Sequence, residues 1–319
     1  MASTEIAVIY SNVTVNNSVF NNTSKYRNES LALIEIAVQA AIFTVAFFGN
    51  AIVILTLCLR KKKLTQMHVL MIHLSVADLF VAFCNVLPQL IWDITDVFHG
   101  GDFLCRLVKY LQVVAIYASA YVLVVTALDR YIAICHPFLS QKWSSSRVHY
   151  MVIVAWVLSM LFSIPQVIIF SIQERQAGEY DCWATFYPNW TLQLYITCFT
   201  VSVYIAPTLI LIVCYGLICY TVWRRGRVGE NCSKRTWQSS DVRQSSGSAE
   251  NQCLSSNGSV HLKREAGISR AKKRTIRLTL TVVLCYVICW SPFFISQMWA
   301  AYDENAPFKT NMYGNQSVA

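Results

Sequence analysis

Five of the long apolar stretches carry a glutamine well inside them: Gln39, Gln89, Gln112, Gln166 and Gln297. An amide without a hydrogen-bond partner is costly in hydrocarbon, so these side chains should face protein rather than lipid. If successive stretches cross the membrane in opposite directions, all five glutamines lie toward the same side of it. Glu35 and Lys109 lie about one helical turn from Gln39 and Gln112. Such a lining can connect helices to one another, or it can bind a ligand that is itself rich in amides. We favour the second interpretation, which predicts a peptide pocket.

A carboxylate lies in the middle of another apolar stretch, at Asp78 in Leu74-Ser-Val-Ala-Asp78. A charged group at that depth costs several kcal/mol unless it is paired or hydrated, so we interpret Asp78 as a functional residue. A bound sodium ion or a proton would relieve its cost. The alternative is a buried hydrogen-bonding centre with Asn50 and Ser119.

The tripeptide Asp129-Arg130-Tyr131 closes the third apolar stretch. Arg130 can extend to the membrane interface without further function. Its place beside a basic loop favours instead an ion pair that opens and closes in a switch.

Catalytic and metal-binding motifs are absent from the sequence. It contains no HExxH, GxSxG or Walker loop, and its six histidines show no metal-ligand spacing. We therefore expect neither an enzyme, nor a cofactor, nor a metal site. A channel or transporter remains a distant alternative, since no span carries regular Arg or Lys and no repeated halves are evident.

The elements that carry these residues follow from composition. The 319 residues are 55% hydrophobic and only 13% charged, whereas soluble chains have about 25% charged residues. This excludes a disordered chain, a soluble nucleic-acid-binding domain and most cytosolic enzymes. A membrane span needs about 20 apolar residues. Six stretches are long enough: 34–59, 67–94, 107–134, 148–172, 192–222 and 276–301. We predict an all-α, multi-pass bundle over 34–301 in the lipid bilayer.

The distribution of charge orients this bundle. Twenty of the 26 Lys and Arg residues lie at one end of the stretches, which marks the cytoplasmic side and places the N-terminus outside. The outer side carries eleven acidic and six basic residues, which favours a neutral or cationic ligand unless the acids merely follow topology. Residues 1–33 form an outer tail with N-glycosylation triplets at Asn12, Asn16, Asn21, Asn22 and Asn28.

Two further segments are polar. The loop from about 226 to 269 is rich in Ser, Gly, Asn and Gln, and we expect it to lack regular structure. Residues 302–319 form a polar C-terminal tail without an apolar run.

The cysteines are consistent with this topology. Of twelve cysteines, only Cys105 and Cys182 fall on the outer, oxidising side. We predict a disulfide between them that holds the loop after the fourth span against the third.

Together these residues resemble a rhodopsin-like G-protein-coupled receptor. The matching positions are Gly49-Asn50, Leu74–Asp78, Cys105, Asp129–Tyr131, Trp156, Pro207, Tyr215 and Cys289–Pro292. The resemblance narrows to the vasopressin/oxytocin/vasotocin receptors through Leu87-Pro-Gln-Leu90, Cys105-Arg-Leu-Val-Lys-Tyr-Leu-Gln112, Asp181-Cys-Trp-Ala-Thr-Phe186 and Trp290-Ser-Pro-Phe-Phe-Ile-Ser-Gln-Met-Trp299.

This resemblance implies a nonapeptide ligand with a disulfide ring, a heterotrimeric G protein as partner with calcium or cAMP signalling, and the plasma membrane as location. The implied ligand-binding residues are Glu35, Gln89, Lys109, Gln112, Gln166, Trp290, Phe293, Phe294 and Gln297. The implied activation residues are Asp129, Arg130, Tyr131 and Tyr215.

The sequence departs from the family pattern at two places. Asn85 replaces a usual glutamine, and after Pro307 the expected seventh span does not follow. A second interpretation is therefore a six-span, non-signalling isoform that is retained in the endoplasmic reticulum or interferes with the full-length receptor.

Overall fold

A computed structural model describes residues 29–61, 64–142, 145–176, 179–188, 190–240, 280–281, 283–303 and 306. Six of its helices are long and apolar enough to cross a membrane. We name them α1 to α6, with bounds Glu29–Cys58, Gln66–Thr95, Gly101–Cys135, Arg147–Ile169, Trp190–Arg225 and Val283–Tyr302. The prediction of a helical, multi-span fold is confirmed over these residues, which are helical except for one two-stranded hairpin and short connections.

The surfaces of these helices are apolar to an extent that a soluble monomer rarely shows. Leu59, Val45 and Ile168 each expose more than 70% of their surface. Isolated exposed hydrophobics need no explanation, but whole helix faces of them mark a surface that contacts another apolar phase. Lipid is the phase that the length of the helices fits.

Two of the prolines within the spans follow a widened helical turn. Pro88 follows the π-helical segment Ala82–Val86, where the N–H of Leu87 donates to the carbonyl of Ala82. Pro207 follows a second such segment, Val201–Ile205. Proline lacks an N–H and its ring crowds the preceding turn, and a π-turn relieves this by shifting the register by one residue. Each span therefore continues past its proline.

The fourth span ends earlier than its hydrophobicity predicts. We expected it to reach Ile172, but strand β1 (Phe170–Gln176) begins within that stretch and pairs antiparallel with β2 (Glu179–Ala184). The β-branched and aromatic residues that extend the apolar stretch also favour a strand. The boundary was therefore wrong, because hydrophobicity alone does not distinguish these two structures.

The disulfide connects this hairpin to α3. Cys105 and Cys182 are bonded, with their Cα atoms 5.6 Å apart, and both are fully buried. Cys182 lies opposite Ile172 in the strand pair. The predicted disulfide is confirmed, and it holds the loop after α4 at the start of α3.

A polar contact beside the disulfide strengthens the same connection. Arg106 pairs with Asp102 at 2.7 Å and also donates to the carbonyl of Val167 at 2.6 Å. Asp102 in turn accepts from the backbone N–H of Ile172 at 2.9 Å. These two side chains therefore join the outer end of α3 to the end of α4 and to β1.

Replacing Arg106 with alanine is expected to cost only about 1–2 kcal/mol. The ion pair is partly exposed and such pairs contribute little, while one lost hydrogen bond costs about 0.5–1.5 kcal/mol. The melting temperature of the purified protein should fall slightly. Asp102→Asn should lower it less, because its side-chain oxygen can still accept from Ile172. Equal stability of Arg106→Ala and the wild type would contradict this account.

The chain divides into two compact units. The first comprises 1–126, 143–209 and 287–319, and the second comprises 127–142 and 210–286. The first contains a cluster around Leu70, Val122 and Val152 and an aromatic cluster that includes Tyr117, Phe199, Phe293 and Phe294. In the second, Arg225 donates to the carbonyl of Ile134 at 2.9 Å and Cys135 contacts Thr221.

The polar loops lie mostly outside the described residues. The helix that contains α5 continues to Ser240, so the start of the segment that we expected to lack regular structure is helical. Residues 241–279, residues 1–28 with the asparagines of all five glycosylation triplets, and residues 307–319 are not described. The predictions for these segments stay predictions.

Candidate ligand-binding site

The polar residues predicted to bind a ligand lie in the first unit, and two of the five glutamines meet at one carboxylate. Gln39 of α1 donates to Asp93 of α2, and Gln89 donates to the other oxygen of Asp93 at 3.0 Å. Gln39 is buried, and Glu35 is half-buried one turn before it. These two amides therefore join α1 to α2, as the competing interpretation of the glutamines proposed.

Lys109 lies beside this amide–carboxylate group. Its Nζ lies 4.3 Å from the centroid of the Trp92 ring and 5.4 Å from that of Phe170. The side chain is buried, and the carboxylates of Asp181 and Asp93 attract it electrostatically. A buried ammonium needs such compensation, and the aromatic faces contribute to it through their negative quadrupole.

Gln112 differs from the other buried glutamines. Only 2% of its surface is exposed. Within the described part of the chain, neither its Nε2 nor its Oε1 has a hydrogen-bond partner. Gln166 is equally buried, but its amide donates to the hydroxyl of Tyr195 in α5. Gln112 therefore offers both a donor and an acceptor that the described protein groups leave unused.

The aromatic residues predicted for the site form one cluster. Trp290, Phe293 and Phe294 of α6 contact one another, with centroids 5.1–5.9 Å apart. Phe294 also contacts Phe199 and stacks on Tyr204. Ile116 belongs to this cluster and lies one turn below Gln112 on α3. Gln297 is half-buried one turn above Phe293.

Asp78 and Tyr204, a residue of the second π-helical segment, each form a hydrogen bond to a neighbouring helix. Asp78 accepts from Ser119 at 3.4 Å, whereas Asn50 donates to the carbonyl of Ala46 in its own helix. Tyr204 and Ser291 are 2.6 Å apart and join α5 to α6. Of the hydrogen-bonding centre proposed as the alternative for Asp78, the contact with Ser119 is therefore present, whereas the amide of Asn50 donates within its own helix.

The predicted activation residues lie in the second unit. Asp129 is buried and forms an ion pair with Arg130, and Tyr131 contacts His136 at 3.2 Å. Tyr215 is also buried. The ion pair is therefore formed in this structure, and its opening and closing as a switch stays a prediction.

Three groups that support the site were not predicted from the sequence. They are Asp93, Trp92 and Tyr195. Asp93 lies four residues after Gln89, and this spacing places two residues on one helix face. That spacing could have identified Asp93, whereas no sequence signal pairs Gln166 with Tyr195.

The chain is similar in sequence to known membrane receptors over most of its length. A family model described as "7 transmembrane receptor (rhodopsin family)" matches residues 49–317. Cephalotocin receptor 1 of Octopus vulgaris is 52% identical over 301 residues, covering 90% of this chain and 74% of the relative. The annetocin receptor of Eisenia fetida is 43% identical over 320 residues, covering 89% and 75%. The vasopressin V1b receptor of Mus musculus is 42% identical over 286 residues, covering 88% and 66%.

The chain belongs to the vasopressin/oxytocin receptor family of rhodopsin-like receptors. It is thus a multi-pass membrane protein of a receptor family rather than of an enzyme family. The match to the family model runs to residue 317, which lies past Pro307. Because residues 307–319 are not described, the predicted departure after Pro307 stays a prediction.

The role of Asp93 in this receptor can be tested by stability. Asp93→Ala should lower the melting temperature of the purified receptor, because two amide donors lose their acceptor at a cost on the order of 1–3 kcal/mol. Asp93→Asn should lie between the alanine variant and the wild type, since one acceptor oxygen remains. Glu29→Gln, at the exposed start of α1, provides the control. If Asp93→Ala melted like the Glu29 control, the amide–carboxylate group would not hold α1 to α2.

Proposed function

We propose that this receptor binds a cyclic nonapeptide of the vasopressin/oxytocin type and transmits its binding to a heterotrimeric G protein at the plasma membrane. Its N-terminus is extracellular and its basic loops are cytoplasmic. The observation that supports peptide binding best is Gln112, which is buried and has no partner for its donor or its acceptor among the described groups.

The chemistry of Gln112 suits a peptide ligand. A free donor and acceptor in a site of low dielectric favour a ligand that offers the complementary pair. The backbone of a peptide presents an N–H and a C=O at almost every residue. A monoamine would instead need a carboxylate at this position.

The surrounding groups suit the charge and shape of such a ligand. Lys109 is held by aromatic rings and attracted by two carboxylates, so this end of the site has no net excess of positive charge. The cluster around Phe293 and Phe294 offers apolar contact to the ring of the peptide. The acidic outer side of the sequence would attract a neutral or cationic peptide.

Transmission requires that the peptide favour one conformation of the receptor over another, since tight binding to both states shifts nothing. Two groups are placed to respond. The first is Trp290, which packs against the aromatic cluster together with Tyr204 of the second π-helical segment. The second is the Asp129–Arg130 ion pair, which lies in the last two turns of α3, toward its cytoplasmic end. In the family, movement of the sixth span frees the arginine for the G protein.

Direct binding tests this proposal. Membranes of cells that express the full chain should bind tritiated vasopressin or oxytocin saturably, and peptide should increase nucleotide exchange on added G protein. Unlabelled cyclic peptide should compete, whereas the same peptide with its ring opened by reduction and alkylation should compete poorly. Surface-expressed receptor that bound neither peptide would contradict the proposed ligand class. Binding without nucleotide exchange would contradict the proposed signalling.

A further inference from the structure

Two histidines from different helices meet outside the ligand-binding site. Nε2 of His73 in α2 lies 3.0 Å from Nδ1 of His149 in α4. The ring centroids are 5.1 Å apart and the planes are nearly perpendicular, at 77°. His73 is half-buried and His149 is exposed. Both lie in the first unit, toward the end of the helices that carries the basic loops.

The pair is remote from the proposed peptide site. At about 1.5 Å per residue, His73 lies about 24 Å along α2 from Gln89. Peptide binding therefore does not account for this pair.

The bond between two neutral rings satisfies one nitrogen of each, with one ring as donor. The same two nitrogens can instead bind a metal ion, because neutral imidazole is the commonest metal ligand and suits zinc, copper and nickel. At Zn–N distances of about 2.0–2.1 Å and tetrahedral angles, two such nitrogens are about 3.3 Å apart. A widening by a few tenths of an ångström, together with a rotation of both rings that turns the two lone pairs toward one point, would convert the observed pair into two ligands of one ion.

We propose that His73 and His149 form a two-histidine site for a divalent transition-metal ion, which links α2 to α4. Among the described residues, no group of three or more His, Cys, Asp or Glu side chains could hold a metal. Water would thus complete the coordination, and binding should be weak and reversible. The exposed ring of His149 gives the ion access. The spacing of histidines in the sequence did not predict this site, because its ligands come from separate helices.

Metal binding to the purified receptor without a polyhistidine tag tests the proposal. Bound Cu²⁺ should give an electron paramagnetic resonance spectrum with coupling to two imidazole nitrogens, and Zn²⁺ should raise the melting temperature, because the folded state alone presents both ligands. Affinity should follow Co²⁺ < Ni²⁺ < Cu²⁺, with Zn²⁺ weaker than Cu²⁺.

Variants identify the ligands. Since loss of even an outer partner costs about 10–100-fold in metal affinity, His73→Gln and His149→Gln should each weaken binding at least about tenfold and leave one coupled nitrogen. His99→Gln, at the opposite end of the helices, should bind like the wild type. His149 is exposed, so its variant should fold even if the His73 variant does not. Two-nitrogen coupling that persisted in His149→Gln would overturn the proposal, as would a wild-type receptor that bound no Cu²⁺.

Discussion

Replacing Cys105 or Cys182 with serine should leave almost no receptor that binds peptide at the cell surface. The bond joins residues separated by 77 positions, and in the chain-entropy model closing such a loop stabilises the folded state by about 4.5 kcal/mol. Folded domains have only about 5–15 kcal/mol of stability in total. Each single variant also leaves a thiol in a fully buried position that was shaped for a disulfide.

Surface labelling and binding of labelled vasopressin would measure this loss, and Cys58→Ser provides the matched control. Cys58 is a free, exposed cysteine at the end of α1, so its replacement should leave both values unchanged. Counting maleimide-reactive thiols in the denatured protein adds a chemical measurement. Reduction should expose two additional thiols in the wild type and none in the Cys105 or Cys182 variants. An unchanged count after reduction of the wild type would show that the bond does not form.

The disulfide and the six spans were predictable because each depends on one strong physical preference. Oxidised thiols need the outer side of the membrane, and long apolar segments need lipid. The end of α4 at Ile169 was not predictable in this way, because a helix and a strand would bury the same apolar residues there. Tertiary pairing with β2 decides between them, and hydrophobicity does not report on pairing.

The glutamines show a similar limit at the site. Sequence alone placed all five in one half of their spans, but it treated them as one lining. The structure separates them into different roles: Gln39 and Gln89 bind Asp93, Gln166 binds Tyr195, and Gln112 has no partner among the described groups. Which partner an amide meets depends on the rotation of each helix about its axis. Contacts between helices fix that rotation, and one sequence does not reveal it.

Replacing Gln112 with leucine should therefore have two effects of opposite sign. Leucine has a similar volume and removes a buried donor and acceptor that lack protein partners, so the peptide-free receptor should gain on the order of 1–3 kcal/mol of stability. The same change removes hydrogen bonds to the peptide, so affinity should fall by about 10–100-fold, which corresponds to about 1.4–2.8 kcal/mol. Melting curves without peptide and saturation binding of labelled peptide measure the two effects.

Gln166→Leu is the matched control, because Gln166 is equally buried but donates to Tyr195. Its replacement leaves the Tyr195 hydroxyl without that partner and should lower the melting temperature. The two variants make the same chemical change at similar burial, so the sign of the stability change separates a group reserved for a ligand from one that connects helices. If both variants melted below the wild type, Gln112 would connect helices as Gln166 does. If Gln112→Leu were stabilised but bound peptide with unchanged affinity, its free amide would have no role in recognition, and the proposed ligand site would lose its main support.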